Sequence, residues 1–83
     1  MIQTKNGIFY SPSSIIEAHQ ILAANHGKRM DILVFHGADN HLISDVYARP
    51  SVDGLGIVCR KYRGRNWWHA ASLESVFTIR VRA

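Results

Sequence analysis

The period of the apolar positions changes at Gly27: the spacing is helical before it and two-residue alternation takes over after it. Ile15, Ala18, Ile21 and Leu22 fall on one helical face, while Glu17, His19, Gln20 and Asn25 fall largely elsewhere. This predicts a one-sided helix of about four turns, stopped by Gly27 in a left-handed conformation. Its start can be read in two ways, with Ser11 capping and Pro12 at the first helical position, or with Ser14 and Glu17 as a capping box. Ahead of it, Ile8-Phe9-Tyr10 is either a first strand or a short apolar run packing over the helix.

Beyond Gly27 the alternation predicts strands. Met30–Phe35 and Leu42–Tyr47 form a hairpin around Gly37-Ala38-Asp39-Asn40, and Pro50 ends it. Asp53-Gly54 turns into a third strand, where Leu55, Ile57 and Cys59 alternate with Gly56, Val58 and Arg60. Arg63-Gly64-Arg65-Asn66 leads tightly into a fourth strand from Trp67 to Ala71. In the last strand Phe77, Ile79 and Val81 point one way and Thr78, Arg80 and Arg82 the other. The expected fold is α+β: one N-terminal helix packed on a small, strongly bent five-stranded antiparallel sheet or barrel, all within a single domain over 1–83.

Composition agrees with a small globule. Hydrophobic residues make up 47% and charged residues 19% of the 83, enough for one core. No apolar run has the length of a membrane span, and Met1–Gly7 lacks the apolar stretch of a signal peptide. A single cysteine, Cys59, permits no internal disulfide and reads as a small core residue, so a cytoplasmic location is expected.

Charge sharpens the picture. Residues 1–48 carry three cations against four acids, whereas residues 49–83 carry seven cations against Asp53 and Glu74. Six of those seven are arginines, the side chain suited to planar contact with phosphate or carboxylate and to stacking on bases. The competing reading is a solubilising surface.

Taken in order, several segments resemble the WYL domain, an Sm-like barrel preceded by a helix. They are the helix to Asn25, the hairpin from Met30 to Tyr47, Pro50, Leu55-Gly56-Ile57-Val58, Arg63-Gly64-Arg65-Asn66-Trp67-Trp68-His69, and Phe77-Thr78-Ile79-Arg80. The resemblance covers about residues 13–82. Trp67 is similar to the family's tryptophan, while Trp68 stands where Tyr is usual, His69 where Leu is usual and Thr78 where Arg is often found. It implies a ligand- or nucleic-acid-sensing module of a bacterial regulatory or defence system, here a bare module or a piece of a longer protein.

The residues themselves supply the ingredients of a single-strand site, a cationic groove with aromatic platforms. Tyr62, Trp67 and Trp68 interleave with Arg60, Lys61, Arg63 and Arg65. Alternation lets only one of the two tryptophans fill the core, and we assign Trp67 to it and Trp68 to the platform. The candidate site is then Tyr47, Arg60, Arg63, Arg65, Trp68, His69 and Arg80, with single-stranded nucleic acid or a nucleotide-like anion as partner. No cofactor is implied. The five histidines show no ligand spacing and no second cysteine joins them, so no metal site is expected. Catalysis is not expected either, since no nucleophile–base context or phosphate-cradling glycine loop occurs. A small RNase would need His69 and an arginine to converge. A protein-interaction module, as a homodimer or an inhibitor from a mobile element, would use the same arginines and aromatics as interface anchors.

Overall fold

Ser14 decides where the helix begins. Its backbone is extended and its hydroxyl accepts the Glu17 N–H at 3.1 Å, so α1 runs Ile15–Ala24, shorter than the four turns expected. Glu17 does not complete the capping box, because its carboxylate accepts from Ser13 Oγ instead. Ala18 and Leu22 are buried and Ile21 lies half-buried at the edge, whereas Ile15 stays exposed. Asn25 caps the other end and Gly27 takes φ +85°, the left-handed turn that a side chain would resist. The structure, a computed structural model, describes residues 1–83 apart from the side chain of His36.

Seven strands follow the alternation and extend it: β1 Ile2–Thr4, β2 Gly7–Tyr10, β3 Arg29–His36, β4 Asp39–Pro50, β5 Gly56–Arg60, β6 Trp68–Ser72 and β7 Val76–Arg82, the last preceded by a 3₁₀ turn at Leu73–Ser75. They form one antiparallel sheet in the order β1-β2-β7-β3-β4-β5-β6. The five-stranded sheet or barrel is therefore corrected to an open sheet of seven strands. Two things overturn it. The undecided run at Ile8-Phe9-Tyr10 is a strand paired to β7, and the first residues fold back on it across Lys5-Asn6 as a further strand. The sheet then ends in β1 and β6, strands of three and five residues that do not pair with each other. Short edges of this kind limit the template offered to another chain, so closure is not needed to protect them.

Gly7 allows the β2–β7 contact. Its φ is +135°, and a Cβ there would stand 2.2 Å from the Val81 carbonyl oxygen.

The inner face of the sheet carries the core. Met30, Ile32 and Val34 of β3, Val46 and Ala48 of β4, Ile57 and Cys59 of β5, and Ile79 and Val81 of β7 are buried beneath α1 and Leu73. Cys59 is fully buried, and burial pushes its thiol up to about 12, so the core reading of this residue agrees with its surroundings. Phe77 departs from the expected alternation. A register shift between Leu33 and Val34 in the β3–β7 pair turns its ring outward, where it is exposed.

On the outer face one carboxylate ties three strands together. Asp31, on the central strand β3, is 5% exposed. It accepts Arg80 Nε at 2.7 Å and Arg82 Nε and Nη2 at 3.0 and 2.8 Å from β7, and from β4 the Ser44 hydroxyl at 3.0 Å and the Asp45 N–H at 2.8 Å. The last two donors come from a bulge. Met30 pairs Val46 and Ile32 pairs Ile43, so Ser44 and Asp45 together oppose Asp31, and Asp45 takes φ +56° to aim its N–H. Burial works to raise the pKa of Asp31, but the hydrogen bonds from Arg82, the Asp45 N–H, Arg80 and Ser44 outweigh it and hold the carboxyl well below its usual range.

Because the folded pKa is lowered, the stabilisation is intact above the ordinary carboxylate value near 4 and is lost as pH falls below it. Asp31→Asn is expected to cost about 3 kcal/mol at neutral pH, the lower end for breaking a buried pair, since both arginines are partly solvated. Urea unfolding from pH 7 to 2.5 checks both points. The variant's stability is expected to fall less with acid than the wild type's.

Candidate anion-binding site

Paired residues share a face of a sheet, so Arg29, Tyr47 and Arg60 form a row across the outer face of β3, β4 and β5. Arg49 lies two residues beyond Tyr47 on that same face. Trp67, just ahead of β6, folds over this row. Its ring meets two guanidinium groups, Arg49 at 4.3 Å and Arg60 at 4.4 Å from the ring centre. Tyr47 is approached likewise by Arg29 at 4.7 Å and Arg63 at 5.4 Å. Such contacts fix a guanidinium plane while leaving its N–H edge free to donate.

The loop after α1 completes the site. Arg63 Nη2 donates to the Gly27 carbonyl at 3.4 Å, and His26, Gly27, Tyr47, Arg60, Arg63 and Trp67 enclose a pocket of ≈ 250 Å³. That volume accommodates a phosphate or a small planar group, below the usual range for drug-sized ligands.

Apart from Arg65, the arginines divide into two sets. Arg29, Arg80 and Arg82 are in ion pairs with Asp31 or Asp45. Arg49, Arg60 and Arg63 have no carboxylate partner among the described residues. Arg60 is the extreme case: one Nη donates to the Arg65 carbonyl at 3.5 Å, and its Nε is buried without a hydrogen-bond partner. The cost of that unmet donor falls on a guanidinium that no carboxylate compensates.

Of the seven residues expected at the site, Tyr47, Arg60 and Arg63 converge, and Arg65 stands at the rim through its carbonyl. The other three lie elsewhere. Arg80 is held at the centre of the sheet by Asp31, a carboxylate it shares with Arg82. Trp68 pairs with Cys59 in the β5–β6 ladder and is 46% exposed at the edge of the sheet. His69 packs over Gly56, where a Cβ would meet its Nε2 at 2.5 Å, beside the turn at Asp53. Hydrogen bonds from the Ser51 hydroxyl and the Leu55 N–H hold the Asp53 carboxylate below its ordinary range, and His69 adds to this.

The assignment of Trp67 to the core is corrected as well, while Trp68 is exposed as expected. Trp67 is half-buried against arginines on the outer face rather than in the core, because β6 begins only at Trp68. In contact with both Arg49 and Arg60, Trp67 serves as a scaffold for guanidinium groups. Arg29, Arg49, His26 and Gly27 join the site without having been expected there. For Arg29 and Arg49 the signal was present, since alternation from the buried Met30 and Ala48 places both on the outer face. His26 and Gly27 arrive only through the packing of the helix end.

Among the described residues no cluster of three His, Cys, Asp or Glu side chains gathers as a metal ion would require, and no helix is long and apolar enough to cross a membrane. No protein-family model, curated protein or solved structure matches this chain.

Trp67→Ala removes both stacking contacts at once. A loss of about 1–2 kcal/mol is expected, two cation–π interactions at a partly solvated site, read from the urea midpoint at constant m.

Proposed function

We propose that this protein is a non-catalytic binding module for phosphate-bearing ligands, short single-stranded nucleic acid foremost, and that the pocket around Arg60 receives the phosphate. The observation that carries this reading is the contrast between the two sets of arginines: three are in ion pairs, while Arg49, Arg60 and Arg63 are oriented by aromatic rings and have no carboxylate to neutralise them. Holding unpaired cations together is unfavourable by itself, and a bound anion relieves it. The sequence resemblance to WYL domains adds a sensing role in a bacterial regulatory or defence system to the proposal. An RNase finds less support, because His69 lies over Gly56 at the Asp53 turn rather than among the residues that line the pocket.

Titration of the protein with a thymidine trinucleotide at low salt, followed by tryptophan emission, tests this directly. Saturable binding that weakens with salt is expected. Arg60→Ala and Arg63→Ala are each expected to lower the affinity and to flatten the salt slope by about 0.7 for every phosphate that the variant no longer neutralises. Unchanged affinity in both variants would refute the pocket as the phosphate site.

A further inference from the structure

The outer face has a second feature, at the end of the sheet away from Trp67. Leu33 of β3 pairs with Leu42 of β4 and Thr78 of β7, and these three share a face with Asp31 and Arg80. Two residues further along β3, Phe35 packs against the outward-turned Phe77, with ring centres 4.9 Å apart and planes tilted by 59°. Phe35, Leu42 and Phe77 are 40%, 56% and 51% exposed, so this apolar surface lies open to solvent. A cavity of ≈ 360 Å³ between Phe9, Asp31, Leu33, Leu42, Thr78 and Arg80 joins it to the arginine-rich part of the face.

The connection continues without a gap. Arg80 lies 5.8 Å over Phe9, Arg82 reaches from Asp31 to Asp45, and Arg29 links Asp45 to the Tyr47 ring. From Arg29 to Phe35 along β3 is roughly 20 Å. Over that distance Arg29, Arg49, Arg60, Arg63, Arg80 and Arg82 meet only Asp31 and Asp45 as acids. The face thus joins a field of excess positive charge to open aromatic rings, the pairing that a single strand needs for its phosphates and its bases.

We infer that Phe35 and Phe77 form a base-stacking platform for the same single strand whose phosphate enters the Arg60 pocket, so that the strand runs across the outer face from one to the other. The inference rests on the binding reading above and adds the polarity of the face to it: phosphate binding at the β4–β5 end, stacking at the far end of β3. A trinucleotide fills the pocket end alone. A longer strand reaches both.

Oligothymidylates of three and twelve nucleotides, titrated into the wild type and into a Phe35→Ala, Phe77→Ala double variant at fixed low salt, separate the two claims. The expected result is that the dodecamer binds the wild type at least tenfold more tightly than the trinucleotide. The double variant is expected to lose about tenfold for the dodecamer while binding the trinucleotide as the wild type does; the latter also reports that it has folded. A Phe35→Leu, Phe77→Leu variant keeps the apolar surface without the rings and is expected to behave like the alanine variant. Undiminished dodecamer binding in the alanine variant, or full recovery with leucine, would overturn the platform while leaving the pocket intact. Binding of neither oligomer to the wild type would overturn the pocket reading and the platform with it. Light scattering closes the remaining route: a wild-type dimer that the double variant converts to monomer would make this patch a self-association face and defeat the inference.

Discussion

The carboxylate of Asp31 is the constraint on which the outer half of the molecule depends. It stands on the central strand, nearly inaccessible to water, and its oxygens accept from β7 on one side and from the β4 bulge on the other. A buried acid without such partners would be strongly unfavourable, so the bulge, the left-handed Asp45 and the two C-terminal arginines belong together as one device. Its geometric effect reaches further than its charge. Removing the extra residue from β4 would shift the strand's register beyond it and carry Tyr47 and Arg49 to the opposite face.

That device also explains why the basic half of the chain does not act as one uniform surface. Arg80 and Arg82, which alternate so clearly in sequence, are held in ion pairs at the centre of the sheet. Arg49, Arg60 and Arg63 are spaced less regularly, yet stacking on Trp67 and Tyr47 gathers them, and Arg60 and Arg63 line one pocket. Stacking brings guanidinium groups close together without cancelling their charge. Ion pairing offsets it, and the division between the two is what gives the outer face a direction.

Much of the fold was legible along the chain. The helix with its glycine stop, the central hairpin ending at Pro50, the alternation of Ile57 and Cys59, and the two-faced last strand all express a local period that burial reinforces. The N-terminal hairpin was not legible. Three exposed residues in β1 carry no apolar period, and β2 is a strand only because β7 offers it an edge. The number of strands, and with it the choice between a closed barrel and an open sheet, depended on that pairing. At the site, Tyr47, Arg60 and Arg63 followed from composition and position, whereas neither tryptophan fills the core: Trp67 is half-buried against arginines just ahead of β6, and Trp68 stays exposed at the edge of the sheet.

The amino-acid sequence by itself determined the local choices: where the backbone coils and where it extends, which side chains are apolar enough to be buried, and that arginines and aromatics crowd the second half. These depend on neighbours a few residues apart, and period, caps and turn residues report them directly. Only the tertiary structure decided which arginines are ion-paired and which remain open. That outcome depends on Asp31 meeting residues 49 and 51 positions away, and on Arg63 reaching Gly27 across 36. Register and bulges set those meetings, and no local pattern encodes them.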